Sequence, residues 1–310
     1  AYRRQRQMCI RDRYLLQLPG SRVSHIMGSY RYEILRETTT DSLIMENNTR
    51  EKKMNSNVYG IDLGTCNMKI YCKTSNKILN EKNTIALVKK DQIYAYGDAA
   101  YAMYEKAPET INVTFPVISG VIADFNNLQT MLQMYLEEHM KGKIRGAEFI
   151  VAVPTDITDV EKRAFFEMFY KSKLKPKSVL LCEKPIADAV GLGLDVNEPT
   201  GIMVVDIGAD TTEISVISLG GLVLSDLLHF GGNRIDESII TYVKRTYNLV
   251  IGQKTAQALK EKLGSGIPGN TETMVIVGRD VVSGLPIEME ITGEVVYEAI
   301  KDILNSICNS

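Results

Sequence analysis

Two short stretches join an aspartate, a glycine turn and a threonine, a combination suited to holding polyphosphates. The first is Val58-Tyr-Gly-Ile-Asp62-Leu-Gly64-Thr65-Cys66-Asn67. The second is Met203-Val-Val-Asp206-Ile-Gly208-Ala209-Asp210-Thr211-Thr212. In each, a β-branched apolar run predicts a strand, and the turn after it offers backbone N–H groups and a hydroxyl to an anion. Asp62 and Asp206 are oxygen donors of the kind a hydrated divalent cation takes. Period-two alternation resumes after both turns, at Met68, Ile70 and Cys72 and less strictly at Ile214, Val216 and Leu219, predicting returning strands. Two such turns facing each other would hold a polyphosphate between two lobes.

Other chemistries find little support. No Gly-x-x-x-x-Gly-Lys-Ser/Thr loop occurs, which excludes the P-loop route to a nucleotide. The formal net charge is −2, so no nucleic-acid partner is expected. Five cysteines without a CxxC pair and three histidines favour neither zinc nor a disulfide framework, and reduced cytosolic thiols are the plain reading. No apolar run approaches the ~20 residues of a membrane span, and the Arg-rich start leads into no signal-peptide segment.

The elements that must position the turns alternate between strand and helix, which argues for an α/β fold. The run Gly120–Phe125 opens a helix whose Leu128, Met131, Leu132, Tyr135 and Leu136 follow core-facing three-and-four spacing. Glu148–Val153 reads as a buried strand, and Thr158 and Glu161 have capping-box spacing ahead of a helix to Tyr170. Val179–Cys182 is a further strand, followed by a helix from near Ile186 to Gly191. Further helices are predicted over Arg234–Tyr247, Thr255–Leu263 and Glu294–Ile307. Asn197–Gly201 is the strongest turn cluster and the candidate hinge. At 310 residues the chain suits about two domains. Residues 1–53 carry no sustained pattern and are expected to be extraneous or disordered, with Met54 as a plausible start; a basic membrane-seeking arm is the rival reading.

The paired turns resemble those of the actin, heat-shock chaperone and sugar-kinase superfamily. Longer runs are similar to the MreB/Mbl bacterial actins: Asp62–Asn67, Gly120–Phe125, Pro154–Ala164 and Glu198–Gly208, extended by Ile214–Gly221 and Gly231–Glu237. This resemblance covers Met54 to the end. It implies an actin-like ATPase fold with two duplicated α/β lobes, ribonuclease H-like at their cores, around a nucleotide cleft. The lobes would span 54–199, with a small insertion subdomain at about 85–119, and 200–310, with one at about 236–290. It also implies ATP and Mg²⁺. Gly64, Thr65, Cys66 and Asn67 would form one phosphate turn, and Gly208, Ala209, Asp210 and Thr211 the other. Asp62 and Asp206 would lie by the metal, and Gln257, Ala258, Leu259 and Lys260 would meet the ribose and base. The implied role is a cytoskeletal, head-to-tail filament governing cell shape, cytoplasmic and peripheral at the inner face of the cell membrane beside the cell-wall synthesis machinery.

The chain departs from that family in places. The family's catalytic Glu precedes a proline; here Lys184 stands there, with Glu183 one place earlier, so hydrolysis, in which Thr211 would also take part, is expected to be weak or impaired. A charged ammonium accepts no hydrogen bond and cannot orient a water as a base. Asp210 replaces a glycine of the second turn, and the opposite signs suggest a Lys184–Asp210 pair. Met140 and Ile144, with Lys141, Lys143 and Arg145, form a loop that could touch a membrane. The resemblance further implies a C-terminal truncation, since a Gly-Gly-rich loop and closing helix of the family are not found. The rivals are a hydrolysis-deficient nucleotide-binding scaffold of the same fold, a kinase of the superfamily, and a chaperone nucleotide domain. The kinase would need an acceptor-activating Asp and a specificity loop, and no run resembles either.

Overall fold

The computed structural model describes residues 57–89, 92–140 and 144–310. The segment expected to be extraneous, 1–53, and Lys141 to Lys143 of the proposed membrane loop lie outside them. The described chain divides into two compact units, residues 57–206 with 213–227 and residues 207–212 with 228–310.

The larger unit begins with a meander of β1 (Val58–Leu63), β2 (Asn67–Cys72) and β3 (Lys77–Lys82), paired antiparallel. A small sheet follows, with β4 (Ile85–Val88) between β5 (Gln92–Tyr96) and β6 (Ile111–Thr114), and helix α1 (Asp98–Met103) before β6. The hairpin β7 (Val117–Ile118) and β8 (Val121–Ile122) leads into α2 (Phe125–His139). Strand β9 (Glu148–Val153), helix α3 (Asp159–Tyr170) and strand β10 (Ser178–Glu183) then form a crossover unit, and β9 and β10 run parallel to β1. The resulting sheet order is β10-β9-β1-β2-β3. This is the mixed order of a ribonuclease H-like core. After α4 (Lys184–Gly191) come β11 (Ile202–Ile207), β12 (Thr212–Ser218) and β13 (Gly221–Leu228), which form a three-stranded sheet.

Alternation decides what this sheet buries. Tyr59, Ile61 and Leu63 of β1 and Phe149, Val151 and Val153 of β9 enter one core. There Tyr59 stacks on Phe149 with centroids 5.5 Å apart, and Phe149 meets Phe169 at 5.0 Å. The stripe Leu128, Met131, Leu132, Tyr135 and Leu136 of α2 is buried as its spacing predicts. Asp124 caps α2 by accepting from Asn127 N, and Thr158 and Glu161 make the full capping box at α3. Met140 is 3% exposed and belongs to this core, and Ile144 packs against it. Their expected insertion into a membrane is therefore corrected: Met140 falls four residues after Leu136 and extends the buried stripe past the helix end.

The smaller unit contains α5 (Gly232–Tyr247), β14 (Leu249–Val250), α6 (Gln253–Leu263), β15 (Thr273–Asp280), β16 (Pro286–Thr292) and α7 (Gly293–Cys308). The strands form a sheet in the order β14-β15-β16. Ile235, Ile239 and Val243 of α5, spaced four apart, pack with Ala256, Leu259 and Leu263 of α6, Ile276 and Ile291 of the sheet and Val296 and Ile300 of α7. No helix among the described residues is long and apolar enough to cross a membrane.

Candidate functional site

The first turn is built where β1 reverses into β2. Gly64 is required there, since a Cβ would lie 2.8 Å from the carbonyl oxygen of Asn67. Fully buried Asn83 staples the turn from behind, donating its amide to Gly64 O at 2.7 Å and its backbone N–H to Cys66 O at 2.9 Å. Thr65 Oγ1 accepts from Gly120 N at 3.3 Å, and the Asn67 amide reaches Asn80 Oδ1 at 3.0 Å. Lys82 places its ammonium 3.1 Å from Cys66 Sγ and 4.8 Å from the centre of the Tyr101 ring. Thr65, Cys66 and Asn67 are all half-buried, so the turn is reachable and its frame is fixed.

Asp62, two residues upstream, lies on the opposite face of β1 from Ile61 and Leu63. Lys69 is its cross-strand partner on β2, and the ammonium donates to Asp62 Oδ2 at 3.1 Å. Ala152 is its register partner on β9. That small side chain lets Lys184, at the start of α4, approach Asp62 Oδ1 to 3.2 Å. Asp188, one helical turn after Lys184, and Asp206 of β11 complete a cluster of three carboxylates and two ammoniums. Burial works against ionisation of Asp62, but Lys184 and Lys69 outweigh it and hold the carboxyl down to about 2. Burial pushes Asp188 up to about 8, with Asp206 and Asp62 adding to it, and Asp188 Oδ2 is buried without a hydrogen-bond partner. Burial also raises Asp206, against the pull of Lys184. Lys184 itself is raised despite burial, because Asp62 and Asp206 favour its charge.

This donor set does not suit a divalent cation on Asp62, since both of its oxygens already face ammoniums. Among the described residues no three His, Cys, Asp or Glu side chains come together as a metal cage. Glu183 is exposed and makes no side-chain cap bond at the start of α4, while Lys184 is turned onto Asp62. A second buried network lies nearby in sequence. Glu213, 3% exposed, accepts from the backbone N–H and the hydroxyl of Thr155, which continues to Ser225 and Ser215 at 2.9 Å each.

The second turn belongs to the smaller unit. Gly208 N–H donates to Thr211 O at 2.8 Å, closing the bend. The run Gly231-Gly232-Asn233 packs against it: Gly232 N–H reaches Gly208 O at 2.9 Å and Asn233 N–H reaches Ala209 O at 2.7 Å. A Cβ on Gly231 would fall 2.4 Å from Gly208 O. Asp210 accepts the Asn233 amide at 2.7 Å, and Thr212 Oγ1 donates to Phe230 O at 2.9 Å. Lys184 and Asp210, expected as a pair, thus each have a partner within their own unit.

Helix α6 was expected to meet ribose and base. Gln257 donates to Glu261 at 2.8 Å on the exposed side. Ala258 is half-buried, whereas Leu259 is fully buried in the core. Lys260 is 2% exposed, with its ammonium 3.0 Å from Asp236 Oδ1 and 3.0 Å from Gly232 O. It therefore braces the run that holds the second turn. Lys69, Asp188, Asn83 and Asp236 were not anticipated. The four-residue step from Lys184 to Asp188 was a readable sign for one of them.

A family model described as MreB/Mbl protein matches residues 56–310. The cell shape-determining protein Mbl of Bacillus subtilis (strain 168) is 39% identical over 246 residues, covering 78% of this chain and 73% of Mbl. The cell shape-determining protein MreB of Escherichia coli (strain K12) is 38% identical over 266 residues, covering 83% and 76%. Among solved structures, MreB 5 of Spiroplasma citri bound to AMPPNP has a TM-score of 0.75 at 32% identity, covering 82% of this chain and 78% of that one. The MamK double helical filament has a TM-score of 0.68 at 22% identity, a likeness of fold, with coverage of 82% and 78%. The fold is actin-like, and the chain belongs to the MreB/Mbl family of bacterial actins.

Proposed function

We propose that this chain binds an adenine nucleotide, hydrolyses it slowly or not at all, and assembles head to tail with its own kind. The observation that carries the binding is the second turn. Its bend is closed on itself and backed by Gly231–Asn233, and its residues Gly208, Ala209, Asp210 and Thr211 are half-buried. Each unit supplies one turn of this type, and we assign a phosphate contact to both. Support comes from relatives in the same family, among them Spiroplasma citri MreB5 in its AMPPNP-bound and ADP-bound forms. Gln257 and Ala258 are proposed for the base side, with Lys260 acting through Gly232 rather than by touching the ligand.

Slow hydrolysis follows from the residue at position 184. A water attacking the terminal phosphate needs an acceptor to orient it, in a reaction otherwise driven by positioning and charge. Lys184 offers no acceptor, and Glu183 is exposed on the flank of α4. The expected Mg²⁺ enters as a quantity to measure, because Asp62 is occupied by ammoniums.

Self-assembly would use a heterologous interface that does not close, the geometry of a filament. A place at the inner face of the cell membrane beside the cell-wall synthesis machinery belongs to the same proposal; the relatives' names support the part that concerns cell shape. ATP binding and single-turnover phosphate release test the first part, and electron microscopy with ATP tests the second. Absence of measurable ATP or ADP binding would overturn the reading; rapid turnover would overturn its non-hydrolytic part.

A further inference from the structure

We propose that Lys69 and Lys184 take the place of the divalent cation, so that this chain holds its nucleotide without Mg²⁺. The inference rests on the nucleotide reading above and concerns the larger unit alone. Asp62 is the carboxylate a cation would need, yet Oδ2 lies 3.1 Å from Lys69 and Oδ1 lies 3.2 Å from Lys184. A small hard cation takes near-octahedral oxygen geometry and keeps several waters. A carboxylate with an ammonium against each of its oxygens has its charge already balanced and both approaches taken up by cationic side chains. An arriving ion must also approach two positive charges that cannot diffuse away, since both are part of the chain.

The two lysines are placed to meet a phosphate as well. A Cβ on Gly64 would lie 3.9 Å from Asp62 Oδ2, so the carboxylate and its ammoniums border the first turn. Lys82 brings a third ammonium to that turn, 3.1 Å from Cys66 Sγ. An ammonium is a compact point charge with three donors, enough to hold Asp62 and still donate to a phosphate oxygen. Lys69 and Lys184 are 26% and 18% exposed, sheltered but reachable. The charges of Asp62, Asp206 and Asp188 favour the charged form of Lys184.

The test is equilibrium binding of ADP to the full chain, by calorimetry and by a fluorescent ADP analogue, in excess Mg²⁺ and in excess EDTA. The two dissociation constants should agree within about threefold, and a loss of about tenfold or more in EDTA overturns the proposal. Mn²⁺ serves as an independent probe: adding excess chain to Mn²⁺ and ADP should shift the paramagnetic resonance spectrum toward that of the free hydrated ion, and a distinct protein-bound signal overturns the idea. The double variant K69M/K184M frees Asp62 and should make ADP binding dependent on Mg²⁺. Should that variant fail to fold by near-ultraviolet circular dichroism, the two wild-type measurements still decide. ADP binding under neither condition refutes the nucleotide reading itself, a result distinct from a Mg²⁺ requirement, and this inference falls with it.

Discussion

Lys260 and Asp236 form an ion pair inside the smaller unit, 3.0 Å apart with side chains 2% and 3% exposed. Lys260 also donates to Gly232 O, while Gly232 N–H donates to Gly208 O. The pair therefore links helix packing to the second turn through one residue, Gly232. A buried pair loses far more when one partner is removed than when both are replaced by apolar groups. Lys260→Met should cost about 3–5 kcal/mol in urea unfolding. The double change with Asp236→Leu should recover a large part of it; equal losses in both variants would refute this account.

Gly231→Ala tests the backing of the second turn by space alone. The added Cβ would meet Gly208 O at 2.4 Å and Ala209 O at 2.9 Å, both backbone atoms with little freedom to yield. Nucleotide affinity should fall by about tenfold or more, with a smaller change in unfolding midpoint. Unchanged affinity would remove the second turn from the binding assignment.

Thr158→Ala removes one half of the capping box at α3. Thr158 Oγ1 accepts from Glu161 N, and Glu161 returns a carboxylate oxygen to Thr158 N at 2.7 Å. The expected loss is about 1 kcal/mol, read from denaturant unfolding, without an effect on nucleotide binding. A loss of binding would mean that α3 reports to the site, contrary to the present assignment.

Glu213 gives a pH prediction with a definite sign. Burial raises its pKa in the folded chain, against the hydrogen bonds from Thr155 and the charge of Lys184, while Asp206 adds to the rise. The native state then binds a proton more tightly than the unfolded one. Its stabilising contribution is fully present below the unfolded glutamate value and is lost as pH rises through the raised folded value. Glu213→Gln keeps an acceptor for Thr155 and cannot titrate. The variant should show a flatter dependence of stability on pH across the carboxylate range, and an unaltered slope would contradict the assignment.

Much of this organisation could be read from residue types and spacing, within limits that have physical causes. The stripe from Leu128 to Leu136 and the Thr158–Glu161 box are local patterns, and both formed as their spacing requires. The two glycine turns could be read for the same reason. Met140 was assigned to a loop because the helix was taken to end before it, although its four-residue step from Leu136 continued the buried stripe. The cluster around Asp62 was harder. It depends on β9 lying between β1 and β10, and on Ala152 sitting at the crossing point. That arrangement joins residues more than a hundred positions apart. Lys260 and Asp236 raised the same difficulty: both helices were evident, but not the faces on which they meet.

The ammonium of Lys184 resting on Asp62 bears on how such a polymer would age. Where each subunit consumes its nucleotide, old and new segments differ in chemistry, and that difference can time disassembly. A filament of subunits that keep their ligand intact carries no such clock. Every position along it is equivalent, so its length would be governed by supply, severing and capping from outside.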